Sequence, residues 1–168
     1  SGAITLADFG AASRLEREAQ LPAPPLLLEG TLAYLSPEQT GRMNRDVDYR
    51  SDFYSLGVTF YELLTGVLPF AVLDPLELIH HHLARTPIPP DRQRAGVPAP
   101  LAAMVMRLMA KSPEERYQSA TGIAADLDRY AAEWRATGRI ADTPLGGGDV
   151  ADRFVLPQRL YGREAEIA

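Results

Sequence analysis

Few residues of this sequence carry chemistry, and they stand far apart. Ala3-Ile4-Thr5-Leu6-Ala7 alternates enough to form a short strand, which delivers the carboxylate of Asp8 to a turn at Gly10. An aspartate so placed is either a hard oxygen ligand for a divalent cation or an ordinary strand-end turn residue. His80-His81-His82 puts three imidazoles in a row. Consecutive helical residues point about 100° apart, so three neighbours do not converge on one ion, and a partly exposed helix face is the expectation. The run Gly146-Gly147-Gly148 is followed by Asp149-Val150, where a phosphate-binding loop needs lysine and then Ser or Thr. The single lysine, Lys111, lies deep in a helical region, and there is no cysteine.

The elements that must position these groups are mostly helices. Ser51 to Gly66 carries Phe53, Tyr54, Leu56, Val58, Phe60, Tyr61, Leu63 and Leu64 on every side, so it is expected to be a central helix surrounded by protein. Ser51 or Asp52 is expected to cap its start and Gly66 to stop it. Asp74-Pro75-Leu76-Glu77 reads as the capped opening of the helix that carries the histidines. Pro87 to Pro100 reads as an extended connection. Leu101, Met104, Val105, Leu108 and Met109 then follow helical spacing, as do Ile123, Leu127, Tyr130 and Trp134, with a start near Ser119 and a stop by Gly138. Both stripes read as core. Thr143 to Gly148 has the composition of a flexible linker.

Composition bounds the rest. The 168 residues are 46% apolar with a net charge of −5, ordinary for a globular domain and unsuited to general nucleic-acid affinity. No apolar run approaches the roughly 20 residues that span a bilayer. Without cysteine or a visible leader, a cytoplasmic location is expected.

Three short motifs, in order, carry a resemblance. Asp8-Phe9-Gly10, Gly30-Thr31-Leu32-Ala33-Tyr34-Leu35-Ser36-Pro37-Glu38 and Ser51-Asp52-Phe53-Tyr54-Ser55-Leu56-Gly57 resemble the second half of a protein serine/threonine kinase catalytic domain. Pro37 to Arg45 looks like the kinase module of bacterial hybrid proteins that also carry an AAA-type ATPase, a GAF-type sensor and a histidine kinase. The resemblance covers about residues 4–135 and implies a mainly α fold, the larger C-terminal lobe of the protein-kinase-like fold around a buried central helix. Residues 1–137 would be that lobe, 138–152 a linker, and 153–168 the start of an ATPase-type module, suggested by Leu160-Tyr161-Gly162-Arg163-Glu164.

The family's roles carry over onto matching positions. Asp8 would hold Mg²⁺ against the phosphates of ATP and count as catalytic together with Thr31. Gly30, Thr31 and Tyr34 would meet the substrate. Glu38, in Ser-Pro-Glu where the family has Ala-Pro-Glu, would pair with Arg116, and Asp52 would hold the catalytic loop; these three are structural. The glycine-rich loop, the phosphate lysine and the general base precede Asp-Phe-Gly in the family, so the chain is expected to be a fragment that is inactive alone. Its expected partners are the missing part of the kinase domain, the downstream ATPase and histidine kinase modules, and a protein substrate, with neither nucleic acid nor membrane. The alternative is a non-catalytic kinase-like interaction domain that regulates the fused modules. Between Ala11 and Glu29 the sole hydroxyl is Ser13, so switching by activation-loop phosphorylation is not expected.

Overall fold

A computed structural model describes residues 32–43 and 45–150, and among them every regular element is helical. The α-helices are α1 Arg50–Thr65, α2 Pro75–Ala84, α3 Pro90–Gln93, α4 Ala99–Leu108 and α5 Ala120–Thr137, with 3₁₀ turns at Leu32–Tyr34, Glu38–Thr40 and Pro113–Glu115. The expected strand at Ala3–Ala7, together with Asp8, Gly30, Thr31 and residues 153–168, lies outside the described residues.

The centre is α1, as its composition requires. Phe53 packs with Met104 and Leu108 of α4, Ile123 and Tyr130 of α5, and Tyr117 between those helices. Tyr54, Val58 and Tyr61 form a second cluster with Val105 and Met109. The approach of α4 is close enough to demand a glycine. A Cβ on Gly57 would lie 2.8 Å from Leu108 Cβ and from Met109 Cγ, inside any real contact. The covering is not complete on every side, however. Leu63 points away from both clusters and is 72% exposed.

The helix stops as expected, with Gly66 at φ 80° and its N–H bonded to the Glu62 carbonyl. Its start differs from expectation. Neither Ser51 nor Asp52 is the cap, since both lie within the first turn after Tyr49. The carboxylate of Asp48 instead accepts the Arg50 N–H at 2.8 Å, which leaves the Ser51 hydroxyl free to donate to Glu38.

The opening of α2 follows its sequence: Asp74 accepts from Glu77 N at 2.8 Å, with Pro75 in the first turn. The histidine run lies on a helix face that is only partly exposed, as expected. Only His80 is exposed, while His81 and His82 are buried. The ring of His82 packs edge-on to Phe70 at 5.2 Å, and its Nδ1 shares a 2.9 Å hydrogen bond with the Tyr54 hydroxyl. One polar partner thus makes burial of the imidazole tolerable. The connection between Pro87 and Pro100 is not wholly extended either, because Pro90 opens the short α3 from its first position.

Helices α4 and α5 match their stripes, and the Ser119 hydroxyl caps α5 by accepting from Gly122 N at 3.0 Å. Trp134 departs from its stripe and is 51% exposed. The larger correction comes after Gly138. Thr143 to Gly148 does not hang free: Ile140 and Leu145 pack against the Phe53 cluster, and Gly146 N donates to Asp126 at 2.8 Å. Polar contacts at Gly146 and Asp149 do much of the fixing, and a glycine-rich composition gives no sign of them.

Candidate functional site

The densest polar construction in the described residues joins the turn after Leu35 to the segment before α5. Glu38 and Arg116 are 1% and 0% exposed, and they meet through two bonds of 2.7 and 2.8 Å. The fork geometry of guanidinium and carboxylate makes this the strong form of an ion pair. Ser51 adds a hydroxyl bond to Glu38 Oε1 at 2.6 Å. The remaining N–H groups of Arg116 reach the carbonyls of Arg50 at 2.9 Å, Ala110 at 2.8 Å and Lys111 at 3.2 Å. Burial alone would raise the Glu38 pKa, but the Arg116 bond and charge, with Ser51, outweigh it and hold the carboxyl below its ordinary value.

A second tie fixes the turn at Leu32–Tyr34 to α1. The Tyr34 hydroxyl donates to Glu62 at 2.6 Å, and Ser55 donates to the Tyr34 carbonyl at 2.8 Å. The bond to Glu62, more than partial burial, raises the Tyr34 pKa, so the phenol stays neutral. Asp52 stands in the first turn of α1. Of the residues singled out in the sequence, the structure thus joins Glu38 to Arg116 and fastens Tyr34 to the central helix; Asp8, Gly30 and Thr31 lie outside the described residues.

Several residues were missed. Lys111 sits beside this core, with Nζ 3.2 Å from the His81 carbonyl and 4.9 Å from the centre of the Phe70 ring. Burial, aided by the charge of Arg116, lowers its pKa to about 8. Burial and then the charge of Lys111 lower His82 to about 4, so this imidazole is neutral at ordinary pH. Its Nε2 has no hydrogen-bond partner among the described residues. Gln118 and Arg50 were missed too: Arg50 Nη1 donates to Gln118 Oε1 at 2.9 Å, and a fork from Arg50 grips Asp48. Gly122 was the available signal for another. A glycine inside a helix marks close approach, and a Cβ there would meet the side chain of Asp149.

Among the described residues no group of three or more His, Cys, Asp or Glu side chains is arranged to hold a metal ion. Lys111 is committed to a backbone carbonyl and an aromatic face, which leaves no lysine for a phosphate. What the described residues form is an anchor: the buried Glu38–Arg116 pair braces the turn at Glu38–Thr40 against α1 and the segment before α5.

A family model described as the protein kinase domain matches residues 1–126. The chain belongs to the protein kinase domain family. Similar proteins include the Hybrid signal transduction histidine kinase G of Dictyostelium discoideum, 40% identical over 157 residues. They also include serine/threonine-protein kinase PknB of Mycobacterium tuberculosis, 40% identical over 129 residues, and a probable serine/threonine-protein kinase of Corynebacterium efficiens, 34% identical over 165. These matches take in 82%, 77% and 95% of this chain but only 5%, 20% and 24% of the respective relatives, so the chain spans a quarter of their length or less. Within a kinase domain, the helices around α1 are the larger, C-terminal lobe, and Glu38 with Arg116 is its internal tie.

Proposed function

We propose that this lobe serves a serine/threonine protein kinase, a transferase that moves the γ-phosphoryl of ATP to protein hydroxyls in signal transduction. The observation that carries the reading is the family match over residues 1–126 together with the buried Glu38–Arg116 tie. That tie, with the Tyr34–Glu62 bond, holds rigid the segment that leads from Thr31 into α1. A peptide-binding surface needs such rigidity, because positioning is most of what a protein contributes to phosphoryl transfer.

On this reading Asp8 holds Mg²⁺, Thr31 is catalytic and meets the substrate with Gly30 and Tyr34, and Asp52 steadies the catalytic loop. The base and the grip on ATP come from chain that precedes these residues. The name of the Dictyostelium relative, a hybrid signal transduction histidine kinase, supports a histidine kinase module in the same protein; on this reading it follows residue 152 together with an ATPase-type module, with residues 138–152 as the junction. No helix among the described residues is long and apolar enough to cross a membrane.

The test is a protein containing this chain and the preceding kinase residues, incubated with ATP, Mg²⁺ and a generic protein substrate. Phosphoserine or phosphothreonine should appear with the wild type and vanish with Asp8→Asn, and the 168-residue chain alone should be inert. Equal transfer by wild type and Asp8→Asn refutes the assignment of Asp8, and no transfer by the longer wild type refutes the kinase reading.

A further inference from the structure

The side chain of Asp149, 1% exposed, sits in a built carboxylate cradle at the start of α5. Its oxygens accept from Gln118 N at 2.9 and 3.0 Å, from Ser119 N at 2.9 Å and from the Ser119 hydroxyl at 3.1 Å. Arg107 supplies the charge, with Nη2 at 3.0 Å, while its guanidinium stacks 4.3 Å from the centre of the Tyr117 ring. Three neighbours are shaped around this contact. Gly122 leaves room for the carboxylate, since a Cβ there would stand 2.6 Å from Asp149 Oδ1. Gly146, at φ 73°, turns the chain beside Arg107 in a conformation that favours glycine. Asp126 accepts from Gly146 N at 2.8 Å and from the Tyr117 hydroxyl at 2.6 Å.

The cradle is wired to the anchor described above. Gln118 gives its backbone N–H to Asp149 and its side-chain oxygen to Arg50, while its backbone carbonyl accepts from Tyr49 at 2.8 Å. The Arg50 carbonyl takes Arg116 Nη1 at 2.9 Å, and Arg116 holds Glu38. Each step from one residue to the next is a direct hydrogen bond.

We propose that residues 143–150 are a docking strap with two states, seated and released, and that Asp149 couples its seating to the Glu38–Arg116 anchor. The coupling runs through Gln118 and Arg50. This deepens the reading above and rests on its placement of another module after residue 152. A pull on that module unseats Asp149 and loosens the segment that follows Thr31. Strap residues and anchor residues share one free energy, so the effect runs equally in both directions.

Hydrogen exchange on the 168-residue chain tests this without measuring phosphoryl transfer, so failure here leaves the kinase reading untouched. Asp149→Ala removes the carboxylate. Gly122→Ala evicts it by contact and leaves every cradle donor in place, whereas alanine for glycine in a helix otherwise strengthens it. Both variants should lower amide protection about tenfold, within the usual range of coupling between sites, at residues 118–122 and also at 39–41. The latter amides close the turn that carries Glu38, through Gln39 N to Ser36 O, Thr40 N to Pro37 O and Gly41 N to Glu38 O. Protection in α2 should not change. Gln118→Met keeps the backbone donor but cuts the bond to Arg50, so adding it should abolish the response at 39–41 and preserve that at 119–122. Loss confined to 118–122, a uniform loss that includes α2, or full additivity with Gln118→Met overturns the proposal.

Discussion

Arg116→Ala is the sharpest probe of this lobe. The substitution leaves Glu38, 1% exposed, with its charge unpaired, and removes the donor from three carbonyls. Breaking one side of a buried ion pair costs about 3–5 kcal/mol. Water entering the vacated space can rebond the carbonyls but cannot return the carboxylate to bulk solvent, so we expect a loss within that range. Against a typical total of about 5–15 kcal/mol, that is enough to unfold a marginal domain. Urea melts should be compared with those of Arg45→Ala, which breaks the more exposed Arg45–Glu114 pair at 2.6 Å and should cost about 0–1 kcal/mol.

Acid adds an independent check. In the wild type the folded Glu38 pKa is depressed, so its contribution is present above the unfolded value of 4.5 and fades as pH falls through the folded one. In Arg116→Ala burial is opposed only by the Ser51 hydroxyl and a local backbone bond, so the folded pKa rises and protonation relieves the stranded charge. The stability gap between the two proteins should therefore narrow from pH 7 to pH 4.5. A gap below about 1 kcal/mol at pH 7, or one that widens with acid, refutes the reasoning.

Other expectations are as direct. Gly57→Ala should cost about 1–3 kcal/mol by overpacking α1 against Leu108 and Met109, despite the helix preference of alanine; an unchanged melt would mean that the crossing has slack. His82 takes a proton at 6.5 when unfolded but only at about 4 when folded, so acid favours unfolding across that interval. The shift corresponds to up to about 3 kcal/mol, and His82→Gln should flatten the stability profile between pH 6.5 and 4; an equally steep profile removes His82 as the cause. In a longer protein with the preceding kinase residues, Ser13→Ala should keep full activity after phosphatase treatment. Loss of activity in both proteins, restored by rephosphorylation of the wild type alone, would assign control to Ser13.

The helices were readable because periodicity and punctuation agreed: Gly66, Asp74-Pro75, Ser119 and Gly138 stop or start what the apolar spacing outlines. The Glu38–Arg116 pairing came from motif resemblance, since nothing local ties residues 78 positions apart. The failures share a physical cause. Ser51 left the capping role because the helix already begins at Arg50, whose N–H the Asp48 carboxylate accepts, and a buried partner waited in Glu38. His82 went inside because Tyr54, itself a core residue, offered a hydroxyl there. Asp149 looked like the tail of a linker, yet besides Arg107 and the Ser119 hydroxyl its partners are backbone N–H groups, which no side-chain pattern reveals. Polar groups satisfied by the main chain escape any reading based on residue type.

The Glu38–Arg116 clasp also changes what a break in the chain would mean. It joins two segments on either side of α1, α2 and α4, and the loop between α1 and α2 reaches full exposure at Leu73. A cut there would leave Glu38 and α1 on one piece, with α4, Arg116 and α5 on the other. The two pieces share the clasp, both apolar clusters around α1 and the close seat at Gly57. This lobe is accordingly suited to being divided at Leu73 and reassembled from its halves, like a split reporter whose parts find each other through a buried charge and a notch.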